Sequence, residues 1–139
     1  MSVGAGLRRV ERADGPAQVA SWPRGFREVA LTAHAIEITD GATRLVLPWE
    51  HVTAVRSHGP ERPDGRPRQI ALDVDGLDAP GGLLDRLTVG PPGRPRQRRT
   101  LVLPTAGLEA DPAQLLAALD HYVELPGERA HLGDHVWAS

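Results

Sequence analysis

The chain has 139 residues, the size of one domain with one core, and a net charge of -2, which gives no global field to recruit nucleic acid or an anionic membrane. It has no cysteine, which excludes thiol catalysis, disulfides and thiolate zinc sites, and only one Phe and one Tyr, so its core must be aliphatic. Its 16 basic side chains are all Arg, so neither a phosphate-loop lysine nor a Schiff-base lysine is available.

Residues 1–25 carry Gly4, Gly6, Gly15, Pro16 and Pro23 among apolar residues of no fixed period. They read as an N-terminal arm, either a free leader or a strap that packs Trp22 on the rest. From residue 26 the pattern becomes β: Val29 and Leu31, then Ile36 and Ile38, alternate with their neighbours as half-buried strands do. Asp40-Gly41 predicts a hairpin, because glycine tolerates the positive φ of turns that match strand twist. It leads into a strand over 43–47. Pro48 lacks an N–H and ends the ladder there, and Val52 restarts it for a strand over 52–56.

A Gly/Pro-rich loop over 58–67 follows. Then Ile70, Leu72 and Val74 alternate with Ala71, Asp73 and Asp75, the cleanest period of two in the chain. Short strands over 86–89 and 99–103, each after another Gly/Pro loop, bring the total to about seven. The period then changes. Asp111 suits an N-cap, Pro112 suits the first helical position, and Leu115, Leu116, Leu119, Tyr122 and Val123 share one face. An amphipathic helix over 111–124 is expected, terminated by Pro126-Gly127, with a tail over 126–139 that holds one more turn around 129–132.

Strands followed by one amphipathic helix predict a mainly β (α+β) domain, a seven-stranded antiparallel barrel or sandwich capped by that helix over residues 26–125. This order, with LTAHAIEITDG, the PWEHVTAV step and the closing DPAQLLAALDHYVELPGERAHLG, resembles the bacterial pleckstrin-homology-like domains, in particular the small actinobacterial type. The likeness covers roughly residues 26–132. It implies a two-sheet barrel with a C-terminal helix that serves as a scaffold for proteins, peptides or lipid head groups and rarely as an enzyme. The first hairpin, where eukaryotic relatives carry basic residues for phosphoinositides, reads Leu31-Thr32-Ala33-His34-Ala35 and has neither Lys nor Arg.

Gly-Arg-Pro-Arg-Gln occurs at 65–69 and again at 93–97, each copy just before a strand. In a simple meander both loops lie at one end, which would gather Arg66, Arg68, Arg94, Arg96, Arg98 and Arg99 on one rim able to grip phosphate or carboxylate. The plain alternative is a pair of solvated loops, with Glu61 and Asp64 diluting the first. Without aromatics between the arginines, a nucleic-acid surface is not expected. His131 and His135, and Asp73 with Asp75, are too few for a metal site, and no nucleophile or acid–base pair stands out. Trp49 reads as a corner residue whose N–H finds a loop carbonyl, and Trp137 as a contact residue.

The expectation is therefore a non-enzymatic module without cofactor or metal, mediating protein contact or self-assembly through the arginine rim or through an edge strand beside the helix. A receptor for a phosphate or acidic lipid is the alternative, and a small enzyme the second. No apolar run approaches the ~20 residues that span a bilayer, and the first residues lack a signal-peptide core, so a cytoplasmic location is expected.

Overall fold

The computed structural model describes residues 7–13, 15–23, 27–77, 82–89 and 98–134. Its strands form two antiparallel sheets. One has five strands in sequential order: β1 (Arg8–Arg12), β2 (Gly15–Trp22), β3 (Arg27–Leu31), β4 (Ala35–Asp40) and β5 (Thr43–Pro48). The other has four, ordered β6 (Val52–His58), β7 (Gln69–Val74), β9 (Arg99–Pro104) and β8 (Thr88–Val89). Helix α1 (Leu83–Leu87) precedes β8, and α2 (Pro112–Glu124) follows β9.

Two expectations change. The strands number nine among the described residues, and they lie in two separate sheets, so a closed barrel of seven is not formed. The two extra strands come from residues 8–22, the segment read as an arm. Their missing period has a physical cause. Inward-facing Ala20 and Trp22 join the main core, while Ala17 and Val19 on the other face form a second cluster with Ala30 and Val10. A strand covered on both faces need not alternate. Arg12 explains the cover. It lies three strands from β4 in hydrogen-bond order, yet it pairs with Glu37 at 2.7 Å and Glu28 at 3.3 Å, so the β1–β2 hairpin must curl over the outer face of its own sheet.

The first half of the expected strand over 86–89 is helix. Leu83, Leu84 and Leu87 fall on one face of a single turn and are all buried, which leaves only Thr88 and Val89 to pair with β9. The β4–β5 hairpin forms as expected, with Asp40 opposite Thr43 and Gly41 at φ 63° in the turn.

Pro48 closes its sheet, and one 3₁₀ turn (Trp49–His51) carries the chain to the second sheet. Trp49 is 2% exposed; its Nε1–H donates to the Thr32 carbonyl at 2.7 Å, and its ring meets Tyr122 at 6.0 Å. Trp22 makes the equivalent tie elsewhere, its Nε1–H donating to the Pro104 carbonyl at 3.0 Å.

Between the sheets lies the aliphatic core, with Leu31, Ile36 and Ile38 from one and Ile70, Leu72 and Leu101 from the other fully buried. Helix α2 closes it. Asp111 accepts a hydrogen bond from the Ala113 N–H at 2.9 Å and caps the helix, and Leu115, Leu119 and Tyr122 are wholly buried. Those three side chains contribute on the order of 6 kcal/mol gross. Beyond the helix, 3₁₀ turns over Pro126–Asp134, kinked at His131, bind back onto the domain. Gln18 Nε2–H donates to the Leu132 carbonyl at 2.7 Å, Leu132 is buried, and Arg129 Nε–H donates to the Tyr122 carbonyl at 2.7 Å while its guanidinium lies 5.1 Å from the Trp49 ring.

On the outer face of the second sheet, Asp73 is held by Arg56 at 3.2 Å and by the Thr100 hydroxyl at 2.7 Å. Burial opposes its ionisation, but the hydrogen bonds from Arg56 and Thr100 and the charge of Arg56 outweigh this and hold the carboxyl below its usual range. A carboxyl lowered in the folded state adds stability that is present above its unfolded pKa, about 3.9, and is lost as pH falls through the folded value. Asp73→Asn is expected to flatten the decline of Tm below about pH 4, measured by calorimetry across the acid range. An unchanged acid limb would mean that the Arg56 pair adds nothing.

Candidate interaction site

Four sheet edges are available. β1 reads RRVER and is charged, β8 has two residues, and α1 packs against β5. These are common ways of blunting an edge. β6 differs. It is the first strand of its sheet, pairs only with β7 among the described residues, and lies beside α2. Between them runs a groove of about 350 Å³, lined by the apolar Val55, Pro67, Ala113, Leu116 and Ala117 with Gly65, and edged by the charged Arg56 and Asp120.

Local sequence explains the groove. Ala113 and Ala117 lie one helical turn apart, so that flank of α2 presents methyl groups and leaves room above Leu116. Leu116 is half-buried because it sits at the margin of the helix's apolar stripe. At the head of the groove, the loop over 59–68 is folded on itself by the Arg62 N–H donating to the Arg66 carbonyl at 2.9 Å. Arg66 ties this loop to the helix start, reaching Asp64 and Asp111 at 3.2 Å each. The Arg66 N–H is the main cause of the lowered Asp64 pKa.

The arginines named from sequence do not share one rim. Arg68 precedes β7 and Arg99 begins β9, but Gln69 pairs with Pro104 and Val74 with Arg99. The two loops therefore sit at opposite ends of the pair, roughly 17 Å apart at about 3.4 Å per residue. The cause is the chain path. β8 pairs on the far side of β9, so β7 and β8 run parallel, the α1 segment crosses between them, and the direction of β9 is reversed. Arg99 is drawn under α1 to Asp85 at 2.8 Å, and Arg98, far out in solvent, lies 3.6 Å from Asp75. Arg94, Arg96 and Trp137, with His135, lie outside the described residues.

Two further hollows flank the groove's own sheet and its neighbour. One, of about 390 Å³ on the curled face of the first sheet, is lined by Arg12, Glu37, Thr39 and Arg44. Glu37 takes Arg12 at 2.7 Å and Arg44 at 2.6 Å, and Glu28 shares Arg12, so two cations and two anions cancel. The other, of about 430 Å³, is lined by Pro60, Arg62, Arg68, Gln69, Pro104 and Ala106. Among the described residues no group of three or more His, Asp or Glu could hold a metal ion, and no helix is long and apolar enough to cross a membrane. Comparison of the chain with family models, with curated proteins and with solved structures gave no match.

Sequence reasoning named an edge strand beside the helix but not the residues of the groove. The Ala113/Ala117 spacing was the available signal. It went unread because small residues on a helix flank look like filler until a strand is placed opposite them.

Proposed function

We propose that the protein is a non-enzymatic interaction module of the pleckstrin-homology-like kind, acting in the cytoplasm, and that it captures an extended segment of a protein partner along β6. The observation that carries this reading is the unpaired β6 edge next to an apolar groove. An added strand gains main-chain hydrogen bonds from the edge, while every second side chain enters the groove. The family likeness read from the sequence supports scaffolding over chemistry.

The test is selection of peptides from a random display library against the whole protein, with Leu116→Arg as counter-target. Leu116 is half-buried at the groove, so the long charged side chain fills the slot while its head reaches water. Selected peptides are expected to bind the parent at least about tenfold more tightly than the variant, a difference of about 1.4 kcal/mol, and to perturb amides of β6 and α2. Peptides that bind both proteins alike would remove the groove from the account. Light scattering addresses a second copy as the partner: mass rising with concentration, and abolished by Leu116→Arg, would identify the occupant as the chain itself.

A further inference from the structure

The loop over 59–68 has two sides. One borders the groove beside α2; the other forms the hollow of about 430 Å³ lined by Arg62, Arg68, Pro60, Gln69, Pro104 and Ala106. Most arginines of the described chain are committed: Arg12, Arg44, Arg56, Arg66 and Arg99 all meet carboxylates. Arg62 and Arg68 differ. Neither guanidinium has a hydrogen-bond or ion-pair partner among the described residues, and both line the same hollow. Of the nearby acids, Asp64 is bonded to Arg66 and meets the Arg62 charge only without a direct bond, and Asp111 is held by Arg66 and the helix start. Glu61 is exposed and does not line the hollow.

From this juxtaposition we infer that the hollow is a binding site for a small phosphate monoester with an apolar body. Charge selects the head group. Two guanidiniums with no bonded carboxylate match a phosphate monoester, which carries about -1.5 to -2 at neutral pH, better than a single carboxylate. Shape supports it, because the planar fork of arginine gives paired hydrogen bonds to phosphate oxygens. The rings of Pro60 and Pro104 and the methyl of Ala106 supply apolar walls for the ester group, and the Gln69 amide supplies a further polar contact. The volume falls within the range of about 300–1,000 Å³ usual for small-molecule sites. The end of the sheet is held in place for this. Thr105 Oγ1–H donates to the Pro67 carbonyl at 2.8 Å, and the Thr105 N–H to the Arg68 carbonyl at 3.0 Å, so the two strands flanking the hollow are fixed to one another. This site stands apart from the β6 groove, and either can fail alone.

The experiment is a titration of the whole protein with phenyl phosphate, followed by ¹H–¹⁵N NMR. Saturable shifts are expected at the amides of Gly59, Gln69, Ala106 and Gly107. Arg62→Ala and Arg68→Ala, which remove no internal bond, are each expected to weaken binding about tenfold, whereas Arg98→Ala leaves it unchanged. Affinity should rise with pH through the second phosphate ionisation near about 6, and fall with added salt. Benzoate should bind more weakly and show no such rise. Absence of saturable shifts, undiminished binding by both variants, or benzoate binding equal to phenyl phosphate would overturn the inference.

Discussion

Trp49→Ala is expected to destabilise the protein by about 3–5 kcal/mol, the range for removing a large buried aromatic. For a chain of this size that is a fall in Tm of roughly 10–20 °C. Three contacts converge on this one side chain, and its backbone makes a fourth. Its ring fills the corner where the first sheet hands over to the second, packs on Tyr122 of α2, and lies under the Arg129 guanidinium. Its Nε1–H satisfies the Thr32 carbonyl in the β3–β4 turn, and its backbone N–H donates to His34 in the same turn at 3.3 Å. Removal leaves a cavity, an unpaired carbonyl and a partly buried cation without its aromatic shelf, and burial already lowers the Arg129 pKa. Trp49→Phe separates these effects. It keeps a six-membered aromatic ring but loses the N–H and the rest of the indole, so its cost should be smaller, about 1–3 kcal/mol. Urea unfolding of both variants decides the matter, and equal losses would show that packing is not the larger part.

Leu119→Ala is the second change of large effect. Leu119 is wholly buried between the sheets, and its truncation is expected to cost about 2–5 kcal/mol. Leu116→Ala on the same helix should cost clearly less, because its side chain borders the groove and is already half in water. The contrast matters more than either value. If the two substitutions cost the same, α2 is rotated from the placement described, and the groove loses its floor.

Much of this was legible before any coordinates. β5 and α2 bury one face and expose the other, and β3, β4 and β7 set large aliphatic residues against small or polar ones even where both faces are covered, so their periods of two and of 3.6 stand out, and Asp111-Pro112 marks the helix start. Trp49 was readable from Pro48 and the change of strand around it. β2 was not legible, because small and large apolar residues fall on both of its faces: Ala20 and Trp22 enter the main core, while Ala17 and Val19 are covered where the hairpin curls over its own sheet under the Arg12 latch. Helix α1 is only five residues long, too short to show a period, and it carries the crossover that sends Arg68 and Arg99 to opposite ends. No local pattern encodes that crossover. Pairing order is a property of the assembled sheet, and the repeated GRPRQ gave a false symmetry. The free pair Arg62 and Arg68 could not be picked out either, since only the folded loop separates a committed arginine such as Arg66 from an uncommitted one.

The account rests on β6 being an open edge whose outward amides face the groove. Native-state hydrogen exchange, resolved by amide from Ala54 to His58, tests this directly. Amides paired with β7 should exchange only through opening of the whole domain, while the alternate amides exchange fast, and a selected peptide should protect the fast set alone. Uniform slow exchange along β6 in the free protein would mean that the edge is already occupied, and would contradict it.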